Sequence, residues 1–251
     1  MSTSSIRFHP EGPGAAGLED WGAIPAESLE RGDGIQRGRY FFQDERLGLS
    51  AGVWDCTPFT GRMGPHANNE FMLLLEGQVT IEPDSGPTTT VGAGQGFYLP
   101  KGLKMRWHQS VRVRKYFVIH DGPPDAPAPD ATPKLIVDPA MALSPSTLPA
   151  ADTLFGPMPA QQGKAAFIDT TGQFTVGVWE TTAYHRRPTP FPRYELMHVL
   201  EGGVTVSGPD GTAETYGPGD TFFIARGMVG DFEVKDRLRK IYCIFIEKPA
   251  A

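Results

Sequence analysis

The chain has 251 residues, including 30 Gly, 24 Pro and two Cys, and its formal net charge is −6 at pH 7. This length suffices for one large domain or two small ones with substantial cores. The acidic balance argues against a nucleic-acid partner, the two cysteines predict no disulfide framework, and no run approaches the ~20 apolar residues of a membrane span.

The N-terminal stretch MSTSSIRFHPEG contains no apolar run of the kind found in secretory signal peptides. We therefore expect a cytoplasmic protein without a membrane partner. Residues 1–25 resemble the Pro-rich linker described below in composition, and we assign them to a loosely ordered N-terminal extension.

An internal repeat begins after this extension. The stretch EFMLLLEG (residues 70–77) returns as ELMHVLEG (195–202), and GVW (52–54) returns as GVW (177–179), each 125 positions later. The same register gives about 28 identities over roughly 93 positions without a gap.

The repeat predicts the domain organisation of the chain. We place a first barrel at residues 26–120 and a second at residues 151–251. Residues 121–150 contain the segment DGPPDAPAPDATP, which cannot hold a helix or a central strand, and we assign them to a Pro-rich linker.

Each copy consists of short apolar runs rich in β-branched and aromatic residues, such as VTI, GFYLP and YFVIH in the first and VTV, TFFIA and IYCIFIE in the second. Gly- and Pro-containing turns separate them, which is typical of an all-β sandwich or barrel. Gly77 and Gly202 follow the repeated strand, where a tight connection requires a positive φ. The run VRVRK (residues 111–115) alternates basic and apolar residues, and we interpret it as the solvent face of a strand.

The spacing E-x6-G followed by G-x5-P-x-G resembles the cupin superfamily. It occurs at residues 70–77 and 94–102, and with Ala in place of Pro at residues 195–202 and 219–227. The phrases GVWE, GPGDTFFIARG and RKIY are similar to the cupin_3 branch, which includes bicupins similar to (S)-ureidoglycine aminohydrolase and the ethanolamine-utilisation cupins. The resemblance implies an all-β fold of two tandem cupin (RmlC-like jelly-roll) β-barrels, each with an internal pocket.

The resemblance also implies a metal-ligand pattern of three His and one Glu in each barrel. The first copy retains two of the four ligands at the matching positions, which are Gly64, His66, Glu70 and Met105. The second copy retains one, and its positions are Thr189, Phe191, Glu195 and Gly230. One carboxylate cannot hold a catalytic ion by itself, so we expect no metal in the second barrel.

His66 and Glu70 are therefore the candidate catalytic residues. They could act as acid and base, or as half of a site for a divalent metal (Mn, Fe, Ni or Zn) in the N-terminal barrel, although no cofactor is certain. On a continuous strand they would stand roughly 13 Å apart, so they meet only if the segment HANNE bends, which Asn68 and Asn69 favour. His108 is a further candidate nitrogen, but strand alternation turns it away from this face.

The environment of Glu70 decides between two roles. No cation is evident near it in the sequence, so burial would raise its pKa and make it a general acid or base. The alternative is a structural carboxylate. In the second copy Arg193 is expected to pair with Glu195. Strand alternation and the motif give a set of pocket candidates: Asn68, Met72, Met105, Trp107, Arg193, Glu195 and Met197.

A basic segment AYHRRPTP contains His185, Arg186 and Arg187. We interpret it as a solvated loop, with attraction of a carboxylate ligand as the alternative.

The resulting hypothesis is a bicupin that acts on or binds a small polar metabolite in its barrel pocket. It would be a hydrolase- or isomerase-like enzyme, aminohydrolase-like at best, with the carboxylate and imidazole of the N-terminal barrel as its site. The alternative is a non-catalytic small-molecule-binding or structural bicupin with degenerate metal sites. The expected partners are a small-molecule ligand and a second copy of the chain in a homodimer.

Overall fold

The structure is a computed structural model that describes residues 5–122 and 133–248. Within these ranges the chain is built from antiparallel strands, which confirms the predicted all-β fold. No helix in the described ranges has the length and hydropathy of a membrane span. The short 3-10 turns are Pro13–Ala15, Ala26–Ser28, Glu45–Leu47 and Ala151–Thr153.

The strands in chain order are β1 (Ile6–Arg7), β2 (Glu19–Ala23), β3 (Leu29–Gly32), β4 (Ile35–Asp44), β5 (Leu49–Cys56), β6 (Phe59–Gly61), β7 (Gly64–Pro65), β8 (Asn69–Glu76), β9 (Gln78–Pro83), β10 (Thr89–Gly92), β11 (Gly96–Leu99), β12 (Lys104–Gln109), β13 (Val113–His120), β14 (Ser144–Pro145), β15 (Gln161–Ile168), β16 (Phe174–Pro190), β17 (Tyr194–Gly202), β18 (Val204–Ser207), β19 (Ala213–Tyr216), β20 (Thr221–Ile224) and β21 (Val229–Phe245).

The chain divides into two compact units. Of the described residues, 8–122, 133–137 and 169–171 form the N-terminal barrel, and the others form the C-terminal barrel. The predicted linker spans the change from one unit to the other. Its residues 123–132 lie outside the described residues.

The segment assigned to an N-terminal extension contributes two strands, β1 and β2, in the structure. Strand β2 pairs with β4, with Glu19 opposite Gly38. The ring of Trp21 lies so close to Gly38 that a Cβ there would come within 2.5 Å of it, and it stacks on Tyr40 at 5.0 Å between ring centroids. Strand β2 was not predicted because it is only five residues long and lies in a Gly- and Pro-containing segment. It brings Trp21 to the first barrel.

The N-terminal barrel consists of two six-stranded sheets. One has the order β11-β8-β13-β5-β4-β2, and the other has the order β10-β9-β12-β6-β3 with β7 paired to β12. Apolar side chains from both sheets form a buried core that includes Met72, Leu74, Val79, Ile81 and Phe97. This core supports the strands that carry the candidate residues.

The C-terminal barrel is a single nine-stranded sheet with the order β1-β20-β17-β21-β16-β15-β14, and β18 pairs with β21 and β19. Its strands β16 and β21 each run for 17 residues, whereas the matching segments of the first copy are divided into β5, β6 and β7 and into β12 and β13. Pro58 lies in the first of these breaks. Its repeat partner is Ala183, where the register of β16 against β21 shifts. Proline lacks the N–H that a ladder needs, so it turns a bulge into a break.

The repeat is preserved in the strand positions. Strands β11 and β20 begin and end 125 residues apart. Gly77 has φ of +83° and Gly202 has φ of +72°, which confirms the predicted positive φ.

The interpretation of VRVRK as a solvent face is wrong for its last two residues. Lys115 is 7% exposed, and the side chain of Arg114 is 11% exposed and paired with Asp55. Strand β13 lies between β5 and β8, so it is an inner strand of its sheet. Arg114 and Lys115 point to opposite faces of this strand. Each is paired there, Lys115 with Glu70 and Arg114 with Asp55.

Candidate functional site

A cavity of about 420 Å³ lies in the N-terminal barrel. Half of its twelve lining residues are Trp, Tyr or Phe, and its polar part is Gln36 together with a cluster of His66, Glu70 and Lys115. The lining residues are Trp21, Gln36, Tyr40, Trp54, Phe59, His66, Glu70, Met105, Trp107, Lys115, Phe117 and Ile119.

The segment HANNE bends between two strands. Strand β7 ends at Pro65 and β8 begins at Asn69, so the intervening residues are not extended in a ladder. His66 Nε2 consequently lies 3.4 Å from Glu70 Oε2. The backbone of His66 is fixed by hydrogen bonds with Leu103 and Gly102. The structure therefore brings the two candidate catalytic residues together on one cavity wall.

A buried lysine occupies the other oxygen of Glu70. Lys115 Nζ donates to Glu70 Oε1 at 2.7 Å and lies 3.0 Å from Met72 Sδ. Its ammonium also lies 4.8 Å and 5.0 Å from the ring centroids of Trp54 and Trp107. The expectation that Glu70 has no cation nearby is wrong. The signal was in the sequence, because Lys115 returns as Lys240 in the repeat register.

The charge on Glu70 follows from this neighbourhood. Burial alone would raise the pKa of its carboxyl, but the attraction of Lys115 and contact with His66 outweigh burial and lower the pKa to about 2. The prediction that burial raises the pKa of Glu70 and makes it a general acid is therefore wrong. At neutral pH Glu70 is an ionised carboxylate that anchors its two partners.

We expect the stability of the chain to depend on pH through Glu70. An unfolded Glu takes up a proton near pH 4.5, whereas the folded Glu70 takes it up near pH 2. Between these values the unfolded chain binds more protons, so the free energy of unfolding should fall as the pH falls, by on the order of 3 kcal/mol. Glu70→Gln should remove this part of the slope in denaturant titrations between pH 5 and pH 2.

The exposed carboxylate of Glu27 lies in the same barrel and provides a matched control. Glu27→Gln should keep the wild-type slope. Equal slopes for Glu70→Gln and wild type would contradict the assignment of an ionised Glu70.

A divalent metal does not fit this cluster. The ammonium of Lys115 already donates to Glu70 Oε1, which a metal ion would need as a ligand. Its positive charge would also repel the metal ion. His66 is the one imidazole among the residues that line the cavity. No group of three or more His, Cys, Asp or Glu side chains with metal-binding geometry occurs in residues 5–122 and 133–248. The metal site that the sequence allowed at His66 and Glu70 is thus not supported by these residues.

The remaining candidates of the first copy divide into two groups. Met105 and Trp107 line the cavity. Met72 is fully buried against Lys115 instead, and Asn68 is absent from the lining, with its side-chain amide 3.1 Å from Asp121 Oδ1. His108 lies outside the cavity with its Nδ1 2.8 Å from Thr60 Oγ1.

The C-terminal barrel contains a related cavity of about 480 Å³. Glu195 Oε1 accepts from Lys240 Nζ at 2.7 Å, and Glu195 Oε2 accepts from Arg193 Nε at 2.9 Å, so the expected ion pair with Arg193 is present. Burial would raise the pKa of Glu195, but the two cations outweigh it and lower the pKa. All three side chains and Met197 line the cavity.

The interpretation of AYHRRPTP as a solvated loop is wrong. These residues belong to strand β16, and Arg186 lines the C-terminal cavity. Arg187 Nε donates to Leu154 O at 3.0 Å, and His185 Nε2 lies 3.4 Å from Asp231 Oδ2. Bulges in β16 rotate successive side chains, so simple alternation could not place them.

Both barrels share one buried cluster of Trp, Glu, Met and Lys. In the N-terminal barrel these are Trp54, Glu70, Met72 and Lys115, and their repeat partners are Trp179, Glu195, Met197 and Lys240. The two sites differ in what surrounds the cluster, because Phe191 replaces His66 and Arg193 replaces Asn68. The first site therefore carries an imidazole, and the second carries an additional guanidinium.

Comparison with known proteins gives one family and several similar structures. The profile of the EutQ-like cupin domain matches residues 45–117 and again residues 168–242. No curated protein sequence matches the chain significantly.

Three solved structures share the fold. A protein of unknown function in the DUF861 family from Pseudomonas syringae pv. tomato is 24% identical, with a TM-score of 0.77 over 96% of this chain and 99% of that chain. A candidate dioxygenase from Nostoc punctiforme is 11% identical, with a TM-score of 0.61 over 100% of this chain and 86% of that chain. A cupin 2 conserved barrel domain protein from Leptotrichia buccalis is 9% identical, with a TM-score of 0.55 over 91% of this chain and 98% of that chain.

Proposed function

The chain belongs to the EutQ-like cupin family, and from that premise we propose that its N-terminal barrel binds a small metabolite and transfers protons to or from it through His66. The reaction class is hydrolase- or isomerase-like. The ligand has a polar group that meets the cluster of His66, Glu70 and Lys115, and an apolar face that packs against the aromatic wall.

The observation that carries this proposal is the state of His66. Its Nε2 is buried on the cavity wall and makes no hydrogen bond to the described residues, beyond the long contact with Glu70. A buried polar atom with only one long contact costs free energy, which a shorter hydrogen bond to a bound polar group would recover. Imidazole also exchanges protons near neutral pH, where the Glu70 carboxylate does not.

Glu70 and Lys115 have supporting roles in this proposal. The ionised Glu70 holds the ring of His66 in place through the 3.4 Å contact between Oε2 and Nε2. Lys115 fixes the orientation of Glu70 through the 2.7 Å hydrogen bond. The pair also places one positive and one negative group on the wall of a cavity that is half aromatic.

A turnover assay with His66→Gln tests the proposal. The substrates are small amides, ureides and amino alcohols, and a thermal shift screen of the same compounds reports binding. We expect His66→Gln to lower turnover by about 100-fold or more, the usual range for loss of a general acid or base. His108→Gln is the matched control, because His108 lies in the same barrel outside the cavity, and it should keep wild-type turnover.

Full turnover by His66→Gln on a substrate that the wild type converts would refute the catalytic role. The alternative of a non-catalytic binder is favoured by the Lys115–Glu70 pair, since both charges are already neutralised. Its signature is a compound that raises the melting temperature in a His66-dependent way without being converted.

A further inference from the structure

The cavity of the C-terminal barrel carries an excess of positive charge. Its lining includes four cations, Lys164, Arg186, Arg193 and Lys240, and one carboxylate, Glu195, which is a surplus of three formal charges (four minus one). In the N-terminal cavity, by contrast, Lys115 faces Glu70 one to one. A cavity lined by one sign of charge concentrates ions of the opposite sign.

Arg186 has a buried guanidinium nitrogen whose hydrogen-bonding capacity the described chain does not satisfy. Its Nε is buried and has no hydrogen-bond partner among residues 5–122 and 133–248. One Nη atom donates to Thr189 O at a long 3.4 Å. Burial lowers the pKa of its guanidinium, which means that the surroundings disfavour the charged form. The charge of Glu195 offsets only part of this effect, and the two oxygens of Glu195 accept hydrogen bonds from Arg193 and Lys240.

Other donors line the same cavity. Ser146 Oγ is buried and also lacks a partner among the described residues. Burial raises the pKa of Tyr184 and of Tyr242 to about 12, so both hydroxyls keep their protons at neutral pH. The cavity therefore offers cations and neutral hydrogen-bond donors, while the carboxylate of Glu195 is already hydrogen-bonded. Such an arrangement favours binding of an anion.

The remaining wall is mostly apolar and includes the aromatic rings of Trp179, Phe191 and Phe232. Phe191 and Phe232 stack with 5.5 Å between ring centroids, and the guanidinium of Arg186 lies 5.6 Å and 5.1 Å from these rings. A bare inorganic anion would leave this surface without a contact. An organic anion could place its charged end at Arg186 and its apolar body on the two rings.

We propose that the C-terminal cavity is a second ligand site, which binds a small organic carboxylate with an apolar body through Arg186. The planar guanidinium matches a carboxylate in geometry and charge. The site is separate from the proposed proton-transfer site of the N-terminal barrel, and it needs no metal.

Calorimetric titration of the full chain with benzoate tests this site, with benzamide as the neutral isostere and inorganic phosphate as the anion without an apolar body. We expect benzoate to bind, and benzamide and phosphate to bind more weakly. Arg186→Gln should weaken benzoate binding about tenfold or more, because a charged hydrogen-bond partner is lost. Arg226, a surface residue of the same barrel paired with Glu247, gives the control Arg226→Gln, which should leave the affinity unchanged.

Three results would overturn the proposal. The first is no benzoate binding at about 10 mM ligand, the weak end of measurable affinity. The second is equal benzoate affinity in Arg186→Gln and Arg226→Gln, and the third is binding of benzamide or phosphate as tight as that of benzoate. If Arg186→Gln fails to fold by circular dichroism, Ser146→Ala takes its place and should also weaken binding, with unchanged affinity counting against the site. His66→Gln should leave benzoate binding intact, so failure of the proposed function is distinguishable from failure of this one.

Discussion

Lys115→Met should lower the free energy of unfolding of the N-terminal barrel by about 3–5 kcal/mol, the usual cost of breaking a buried ion pair by removing one partner. The substitution keeps the approximate length of the side chain but leaves Glu70, whose side chain is 9% exposed, without its ammonium. Burial would then raise the pKa of Glu70. We therefore also expect the variant to recover part of its stability as the pH falls, opposite to the wild type.

The repeat supplies the matched control for this experiment. Lys240→Met removes the equivalent lysine of the C-terminal barrel, but Glu195 keeps its hydrogen bond with Arg193 at 2.9 Å. Its loss of stability should be clearly smaller. A double variant, Glu70→Leu with Lys115→Met, should regain most of the stability, because well-packed apolar groups often replace a buried ion pair without cost.

Guanidinium unfolding followed by tryptophan fluorescence is a suitable measurement. Trp21, Trp54 and Trp107 belong to the N-terminal barrel and Trp179 belongs to the C-terminal barrel, so fluorescence reports on the unfolding of both units. Losses of equal size in Lys115→Met and Lys240→Met would contradict the view that Glu70 has a single cationic partner and Glu195 has two.

Gly202→Ala is expected to destabilise the C-terminal barrel by about 3 kcal/mol, from a left-handed backbone and a steric clash together. Gly202 has φ of +72°, and a Cβ built there would overlap the carbonyl oxygen of Arg237. That oxygen cannot easily retreat, because it accepts a hydrogen bond from Gly203 N at 3.1 Å. Gly77→Ala should behave alike, since its Cβ would overlap the carbonyl oxygen of Arg112.

Two other glycines separate the contributions of φ and of the clash. Gly219 has φ of +89°, but nothing lies within 4 Å of a Cβ built there. Gly219→Ala should therefore cost only the backbone term of about 1–2 kcal/mol. Gly217 has neither a positive φ nor a neighbour within 4 Å, and Gly217→Ala should be nearly neutral. Chemical denaturation of the four variants would refute this account if Gly202→Ala cost no more than Gly219→Ala.

The two barrels have kept one buried cluster and changed its surroundings. The shared Glu–Lys pair is neutral overall, so it adds little net charge to either cavity. Replacement of His66 by Phe191 removes the imidazole from the second site, and replacement of Asn68 by Arg193 adds a cation. This divergence is the basis for our proposals of proton transfer in the first barrel and anion binding in the second.

The sequence by itself determined the duplication, the all-β architecture and the family. These are linear properties: a constant offset of 125, apolar runs of strand length, and glycines at the same turns. Gly77 and Gly202 could be predicted because the conformation that they adopt is set within one tight connection. The contact between His66 and Glu70 could also be predicted from the sequence, because it depends only on a bend within the five residues 66–70.

Only the tertiary structure decided which charges meet. Lys115 and Glu70 are 45 residues apart, and they touch because β8 and β13 pair in one particular register. Arg186 reaches its cavity because bulges in the long strand β16 change which side chains point to the same face. Strand partners and bulges depend on hydrogen bonds between distant segments. Periodicity along one segment can therefore predict a buried carboxylate, but not the cation that sets its pKa.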